Sequence, residues 1–233
     1  METIILVPGH GCTPQVFAAQ MQALSEHYHC ISIDLREYKT REAVIAAILK
    51  QAPEKFFILG FSLGAIIALE ISQKVPERIN GLIHISAPYE GPSAAFVQEL
   101  KQIRETLPTM EISEFCKIAY HKYFPDKELS YPLYKTFSHM LLETGKTHYL
   151  EQANMLLEPW TLMPKAHAHH PVLIMGGALD HRALPQYHKF MATELPTAVL
   201  YLIPHARHFV TLEQPALSTQ IISEWIENTA PKK

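Results

Sequence analysis

Cysteine is scarce in this chain, charge of one sign is not in excess, and long apolar runs are absent. The three cysteines, Cys12, Cys30 and Cys116, are odd in number and widely spaced, which excludes a disulfide framework and a zinc motif. The formal net charge is -3 and no basic run occurs, so we expect neither nucleic acid nor an anionic membrane surface as a partner. The longest apolar stretches are only strand-sized, so we expect no membrane span.

The rest of the composition is that of an ordinary globular protein. Apolar residues make up 48% of the chain and charged residues 18%, and 233 residues suffice for one domain with one insertion. Residues 1–3 lead directly into an apolar segment, without the basic region and small-residue cleavage site of a signal peptide. We therefore expect a protein of the reducing cytoplasm, either a monomer or a weak homodimer.

Short apolar runs alternate with helical patterns along most of the chain. Most of the runs are continuous rather than alternating, which is typical of parallel strands buried on both faces. The runs are residues 4–7, 30–33, 56–59, 82–85, 172–175 and 199–203. This pattern predicts the α/β class, with a mostly parallel, doubly wound sheet of about six strands and right-handed crossovers.

The alternation stops between residues 88 and 168. Four helix-like pieces follow one another there, at residues 92–107, 111–123, 131–143 and 146–157, separated by Pro108, Pro125 and Gly145. Helices inserted between two strands predict a lid over the carboxyl ends of the sheet, where open α/β sheets bind ligands. We therefore divide the chain into a core of residues 1–87 and 169–233 and a four-helix lid of residues 88–168.

The pentapeptide Gly-Phe-Ser-Leu-Gly at residues 60–64 is the most informative motif. It lies between a strand-like segment, residues 55–59, and a helix-like segment, residues 65–71. A serine in such a sharp strand-to-helix turn projects its hydroxyl out of the turn, and glycines flank it because side chains there would collide with the strand and helix. This context predicts that Ser62 is a catalytic nucleophile.

A serine nucleophile needs a base within hydrogen-bond reach, and the base needs an acid to orient it. Asp180 follows the predicted strand 172–175, and His208 follows the last predicted strand, so both lie at the same edge of the sheet as Ser62. His205 remains an alternative base. Glu213 is an alternative acid, although we expect it to cap the final helix.

Acyl transfer also requires donors for the oxyanion of the tetrahedral intermediate. The backbone N–H of Leu63, at the start of the helix after the nucleophile, is the first candidate. The second is expected from the loop at residues 8–11 after the first strand, where we favour the His10 amide and keep Cys12 as the alternative. The same loop could also be a simple glycine-rich turn that ends a strand.

Taken together, these motifs resemble the α/β-hydrolase fold superfamily over nearly the whole chain. The final spacing, His208 followed four residues later by Leu-Glu-Gln-Pro, occurs in many α/β-hydrolases and favours His208 over His205. Pro8 stands where many members have a histidine, and residues 37–38 lack the usual glycine-rich turn. The other matching motifs are residues 8–11, 34–36, 60–64 and 177–180.

The resemblance implies a serine hydrolase that cleaves a carboxylic ester of a small or medium acyl group through an acyl-enzyme. Within the superfamily the chain looks most like small bacterial carboxylesterases, such as the pimeloyl-[acyl-carrier protein] methyl ester esterases. It therefore implies a small-molecule ester as partner, which in that group is held on an acyl-carrier protein. An acyl thioesterase, a carbon–carbon hydrolase or lyase, and a non-catalytic binding protein with this fold remain alternatives.

Substrate contacts within the predicted lid are harder to assign. Phe124 and Phe137 are our candidates for an acyl pocket, whereas we expect the other aromatic residues, among them Trp160, to pack inside the lid. Basic residues of the lid could meet an acidic carrier, but interspersed glutamates favour a solvated helix surface; these residues are Lys101, Arg104, Lys117, Lys122 and Lys135.

No cofactor and no metal are expected. The histidines at positions 167, 169 and 170 form a cluster, but no carboxylate or cysteine stands at ligand spacing from them.

Overall fold

The computed structural model describes residues 1–88, 91–125, 131–159 and 170–229. Its centre is a six-stranded sheet in the order β2-β1-β3-β4-β5-β6, and every pair of neighbouring strands is parallel. The strands are β1 Thr3–Val7, β2 His29–Ser32, β3 Phe56–Phe61, β4 Ile79–Ile85, β5 Val172–Gly177 and β6 Ala198–Ile203. The predicted fold class and all six predicted strands are confirmed.

The central strands are mostly apolar because both faces of the sheet are covered, and the buried His84 of β4 is an exception. Every residue of β1, β3 and β5 is buried, whereas the edge strand β6 alternates between half-buried and exposed residues before it ends at the buried Ile203. Successive residues of β1 lie on opposite faces of the sheet. Ile5 and Val7 belong to one hydrophobic core, and Ile4 and Leu6 belong to the other.

Nine helices are found in the described ranges. They are α1 Ala18–Leu24, α2 Arg41–Gln51, α3 Leu63–Lys74, α4 Ala94–Thr106, α5 Ile112–Tyr123, α6 Tyr131–Leu157, α7 Pro185–Glu194, α8 Val210–Glu213 and α9 Pro215–Thr229. Helices α2, α3 and α7 supply the core on one face of the sheet, and α1 and α9 supply the core on the other face. None of the helices in these ranges is long and apolar enough to cross a membrane.

Local sequence signals place the helix boundaries. The Thr40 hydroxyl accepts a hydrogen bond from the Ala43 N–H at 3.2 Å and so caps the start of α2. The Ser93 hydroxyl caps α4 in the same way, through the Phe96 N–H at 3.2 Å. Helix α6 breaks at Gly145, whose φ of 66° lies in the left-handed region that favours glycine.

The inserted helices α4, α5 and α6 occupy the interval predicted to be helical, with the two halves of α6 matching two predicted pieces. Their buried side chains join the two cores of the sheet rather than forming a separate one. Phe115 and Phe137 pack in the same core as Leu6, and Met155 packs in the core on the other face. The boundaries of the predicted lid and its action as a lid remain predictions.

Candidate active site

Ser62 lies at the turn between β3 and α3, at the carboxyl end of the sheet. Its φ of 53° and ψ of -116° are unusual for a residue with a side chain, and such strain is typical of functional sites. The turn is fixed on the sheet because the Ser62 N–H donates to the Ile85 carbonyl at 2.8 Å. The Ser62 side chain borders a cavity, so its hydroxyl is placed to meet a ligand.

The two glycines that flank this turn are required by packing. A Cβ added to Gly60 would lie 2.2 Å from the Gly64 carbonyl oxygen, and one added to Gly64 would lie 1.9 Å from the Val7 carbonyl oxygen. Both obstacles are backbone atoms, which cannot move without displacing a strand or a helix. Only glycine therefore allows α3 to start this close to β1 and β3.

His208 brings the serine and the predicted acid together. Its Nε2 lies 3.2 Å from the Ser62 Oγ, and its Nδ1 lies 2.9 Å from the Asp180 Oδ2. The carboxylate partner assigns the proton to Nδ1, which leaves Nε2 as the acceptor for the serine hydroxyl. The three residues predicted from sequence therefore form one hydrogen-bonded chain.

The Asp180 carboxylate is held in a buried setting. Its Oδ1 accepts hydrogen bonds from the Arg182 N–H at 2.7 Å and the Ala183 N–H at 3.0 Å. Burial by itself raises the pKa of Asp180, but the facing His208 and these two backbone donors together bring its pKa below the ordinary value. Asp180 is therefore a carboxylate that can orient an imidazole.

The two alternative residues have other places in the structure. His205 lies in an exposed turn after β6, with a φ of 59°. Glu213 is the last residue of the short helix α8, two residues before the final helix, which begins at Pro215, and its role as a cap of that helix stays a prediction. Its Oε1 accepts hydrogen bonds from the Arg207 N–H at 2.9 Å and the Phe209 N–H at 3.2 Å. Glu213 thus fixes the backbone on both sides of the base, a role that the sequence analysis missed.

The loop after β1 packs directly against the serine turn. A Cβ on Gly9 would lie 3.1 Å from the Ser62 Cβ. Within this loop the Gly11 N–H donates to the Gln152 Oε1 at 2.8 Å, and the Cys12 N–H donates to the Gly9 carbonyl at 3.1 Å. Because the Cys12 amide is already used, the geometry favours the His10 amide over the Cys12 amide as an oxyanion donor.

Leu63, the other predicted donor, is the first residue of α3. The N–H groups of the first helical turn carry a partial positive charge, which favours an anion at this position.

The His10 side chain anchors the same loop to α6. Its Nε2 donates to the Tyr149 carbonyl at 2.9 Å, and the two rings lie with centroids 3.9 Å apart. Burial lowers the pKa of His10 to about 4, so the imidazole is neutral near pH 7. The loop that is expected to hold the oxyanion is therefore fixed by an inserted helix.

A cavity of about 310 Å³ opens onto Ser62 and His208. One part of its lining is apolar, with Ile66, Phe96 and Leu156. Another part is polar and includes Ser86, His181, Arg182 and Tyr187. An apolar part and a polar part of a substrate can therefore both fit beside Ser62.

Phe124 and Phe137, the candidates for an acyl pocket, do not appear among the residues that line this cavity. They lie in a buried aromatic cluster, each packed against Phe209 with ring centroids 5.6 and 5.4 Å away. The phenylalanine and tyrosine residues that border the cavity are Phe96, Tyr123 and Tyr187. Trp160, His167 and His169 lie outside the described residues, so the expectations about them remain predictions.

Ser86 and Arg182 are two cavity residues that sequence reasoning missed. Ser86 directly follows β4, has a φ of 49° and is fully buried, and its hydroxyl has no hydrogen-bond partner among the described residues. Its position after a predicted strand was the available signal. Arg182 stands two residues after Asp180, but its partners lie far away in sequence, so no local pattern indicates them.

Comparison with known proteins identifies the family and the fold of the chain. A family model described as the Alpha/beta hydrolase family matches residues 4–218. An esterase structure from Thermogutta terrifontis superposes with a TM-score of 0.80 and 21% identity, covering 99% of this chain and 91% of that one. A carboxylesterase structure from Nitrososphaera gargenis gives a TM-score of 0.87 at 16% identity, covering 98% and 90%. At such identities the structures indicate the fold alone.

Curated relatives match only part of the chain. A pimeloyl-[acyl-carrier protein] methyl ester esterase from Aliivibrio fischeri is 30% identical over 92 residues, which are 36% of this chain and 36% of the relative. The biotin biosynthesis bifunctional protein BioHC from Cellvibrio japonicus is 32% identical over 92 residues, which are 36% of this chain and 18% of that protein. The match thus spans about a third or less of each relative.

Proposed function

Because this chain belongs to the alpha/beta hydrolase family, we propose that it is a serine hydrolase that cleaves carboxylic esters of small or medium acyl groups. The observation that carries the proposal is the hydrogen-bonded chain from the Ser62 Oγ through His208 to Asp180. A serine, a base and an orienting acid in this arrangement are what nucleophilic acyl transfer requires.

In the first half of the reaction, the Ser62 Oγ attacks the ester carbonyl and His208 Nε2 accepts the hydroxyl proton. Asp180 holds the imidazole in the required tautomer and stabilises its positive charge. The carbonyl oxygen becomes an oxyanion, which receives hydrogen bonds from the backbone amides of Leu63 and His10. Collapse of this intermediate breaks the ester C–O bond, and the alcohol leaves with the proton from His208.

In the second half, a water molecule attacks the acyl group on Ser62. His208 removes a proton from this water, and a second oxyanion forms at the same two amides. Its collapse releases the carboxylic acid and returns the proton to the Ser62 Oγ. Each residue of the triad therefore serves in both halves of the cycle.

The cavity supports the proposed size of the acyl group. Its volume of about 310 Å³ is at the small end of the ~300–1,000 Å³ range of ligand pockets. The apolar part of the lining suits an alkyl chain. Methyl esters are the esters to test first, since the relative from Aliivibrio fischeri that matches part of the chain is a methyl ester esterase.

The inserted helices are proposed to act as the lid of this site. Ser93 and Phe96 from the start of α4, Tyr123 at the end of α5 and Leu156 near the end of α6 all border the cavity. Substrate selection by the segment 88–168 is therefore supported by residues from all three helices.

Initial rates on 4-nitrophenyl esters from acetate to octanoate, with methyl esters and acyl thioesters alongside, test the proposal. Ser62→Ala is the blank, since it removes the nucleophile and leaves the fold intact. We expect ester turnover that falls by a factor of about 10³ or more in the variant. Turnover confined to thioesters, or turnover that survives in Ser62→Ala, would refute the proposed reaction.

A further inference from the structure

We propose that Arg182 is a positioning residue of the triad, which couples the inserted helices α4 and α5 to the loop that carries Asp180. The inference rests on the proposed function, because it concerns how the same triad is held in its working geometry. Four groups of contacts support it.

The first contact joins Arg182 to the acid itself. The backbone N–H of Arg182 donates to the Asp180 Oδ1 at 2.7 Å, while the other carboxylate oxygen bonds His208 at 2.9 Å. Any displacement of Arg182 therefore changes a hydrogen bond of the carboxylate that orients the base.

The second contact joins the Arg182 side chain to α4. Its two terminal nitrogens donate to the two carboxylate oxygens of Glu99 at 2.8 and 2.7 Å. Lys122, in the last turn of α5, forms an ion pair with the same carboxylate at 2.7 Å. Only 15% of the Arg182 side chain and 19% of the Glu99 side chain is exposed, so water screens this pair weakly. The Glu99 carboxylate thus links α4 and α5 to the loop that carries Asp180.

The third contact is with aromatic rings. The Arg182 guanidinium carbon lies 5.2 Å from the centre of the Phe96 ring and 5.5 Å from the centre of the Tyr123 ring, distances at which cation–π attraction operates. Tyr123 in turn stacks on His208, with centroids 5.4 Å apart and an interplanar angle of 26°. Arg182 therefore contacts both the carboxylate of the acid, through its backbone N–H, and the ring that covers the base, through its guanidinium.

The fourth contact comes from the preceding residue. The Nε2 of His181 lies 2.7 Å from the Lys122 carbonyl and donates to it, which ties the same loop to the end of α5 a second time. With two bonds to α4 and α5 on consecutive residues, the loop that bears Asp180 is aligned by the helices rather than by the sheet alone.

The chemistry of the pair explains why arginine stands here. Guanidinium presents two parallel N–H groups to a carboxylate, whereas an ammonium group offers a point charge without this fixed geometry. Lysine at position 182 would retain the charge and lose the alignment. Alanine would lose both, and Glu99 would keep only Lys122 as a cationic partner among the contacts described above.

Arg41 provides a matched control. It is also a buried arginine, and its side chain on α2 pairs with Glu70 on α3 at 3.0 Å and with Glu158, after α6, at 3.8 Å. It thus also joins the core to the inserted segment. However, none of these three residues borders the cavity. Losing Arg41 should cost stability without changing the alignment of the triad.

The experiment compares Arg182→Ala, Arg182→Lys and Arg41→Ala with the wild type in kcat, KM, unfolding midpoint and rate of Ser62 labelling by a fluorophosphonate. We expect Arg182→Ala to lower kcat and the labelling rate by about 10- to 100-fold with little change in KM, since small misplacements of catalytic groups cost this much. Arg182→Lys should recover part of the loss. Arg41→Ala should lower the unfolding midpoint and leave kcat unchanged.

Three results would overturn the inference. They are a change in KM alone for Arg182→Ala, equal losses of kcat in the two alanine variants, and wild-type kcat in Arg182→Ala. If Arg182→Ala does not fold, Glu99→Gln breaks the same pair and is held to the same criteria. A wild type that labels at Ser62 but turns over no ester refutes the proposed reaction, and the labelling rates of the variants then decide the positioning role by themselves.

Discussion

Two buried arginines tie the inserted segment to the sheet domain, and they differ in what else they touch. Arg41 is enclosed by α2, α3 and the chain after α6, with 4% of its side chain exposed, and its bonds go to Glu70, Glu158 and backbone carbonyls. Arg182 is somewhat more exposed, borders the cavity and shares a loop with Asp180. The same guanidinium–carboxylate chemistry is therefore used once for packing and once beside the reacting groups.

Burial and charge pairing are common to both arginines, so these two properties do not distinguish the proposed positioning residue Arg182 from Arg41. Buried ion pairs are weak evidence for net stability, because desolvation offsets much of their attraction. What separates the two arginines is position, since Arg182 stands two residues after Asp180 and borders the cavity beside Ser62 and His208, whereas Arg41 is not among the residues that line it. Variants at and around the triad can test this separation.

The largest effect is expected from removing the proposed base, and this loss of activity is the reference for the smaller loss expected in Arg182→Ala. His208→Ala should lower kcat/KM by about 10⁴-fold or more, because the triad acts as a unit. His205→Ala, in the exposed turn three residues earlier, should change it little. Steady-state rates on one ester measure both. A larger loss in His205→Ala than in His208→Ala would reverse the assignment of the base.

Removing Arg41 should give the largest loss of stability. Arg41→Ala leaves the half-buried Glu70 without its cation and should reduce the free energy of unfolding by about 3–5 kcal/mol. Urea unfolding followed by circular dichroism measures this value. The double variant Arg41→Met with Glu70→Met should regain part of the loss, because Glu70, the more buried of the two carboxylate partners of Arg41, is then no longer left without a cation. A double variant that is no more stable than Arg41→Ala would contradict this explanation.

Lowering the pH should reduce the free energy of unfolding of the wild type. Burial lowers the pKa of His10 to about 4 and the pKa of His84 to about 3. Burial also lowers the pKa of His188, whose ring bonds the Leu184 carbonyl. Near pH 7 these histidines are neutral both folded and unfolded. Below about 6.5 the unfolded chain binds protons that the folded chain does not, so stability falls as pH falls.

The expected size of this effect is about 2 kcal/mol at pH 5 for a histidine whose folded pKa is about 4. Urea unfolding at several pH values between 7 and 5 measures the slope. His84→Leu should make the slope of the unfolding free energy against pH smaller by the contribution of up to one bound proton, because residue 84 then no longer titrates. A slope that is flat in the wild type would contradict the buried, neutral state of these rings.

The smallest effect is expected at Glu213, which holds the base through the backbone rather than through a side chain. Glu213→Ala removes the acceptor of the Arg207 and Phe209 N–H groups and should lower kcat about tenfold, the equivalent of one charged hydrogen bond. Glu213→Gln keeps an oxygen at this position and should stay close to the wild type. Steady-state kinetics of the two variants on one ester test this, and equal losses would show that the charge, not the acceptor, matters.

The parts of the site that sequence predicts are those with local causes. Gly60, Ser62 and Gly64 stand within one turn, and Asp180 and His208 each follow a recognisable strand. The pairing of Arg182 with Glu99 joins residues 83 positions apart, and no spacing rule connects a loop arginine to a helix glutamate.

The aromatic residues of the inserted helices show a second limit. Apolar character predicts that Phe124 and Phe137 are buried, which they are, but it does not distinguish packing against Phe209 from lining the cavity. Tyr123, adjacent in sequence to Phe124, also packs against Phe209, with ring centroids 5.1 Å apart, but it borders the cavity and stacks on His208 as well. Tyr123 is the last residue of α5 and Phe124 follows it with non-helical backbone angles, so the packing of the helix end decides this difference.

The most direct test of the account is the intact mass of the protein after reaction with a fluorophosphonate, followed by peptide mapping. The account predicts one phosphonyl adduct per chain, located on Ser62, and no adduct in Ser62→Ala or after unfolding in urea. It also predicts that ester turnover falls in proportion to the labelled fraction. An adduct on another residue, or full ester turnover by fully labelled protein, would contradict Ser62 as the nucleophile.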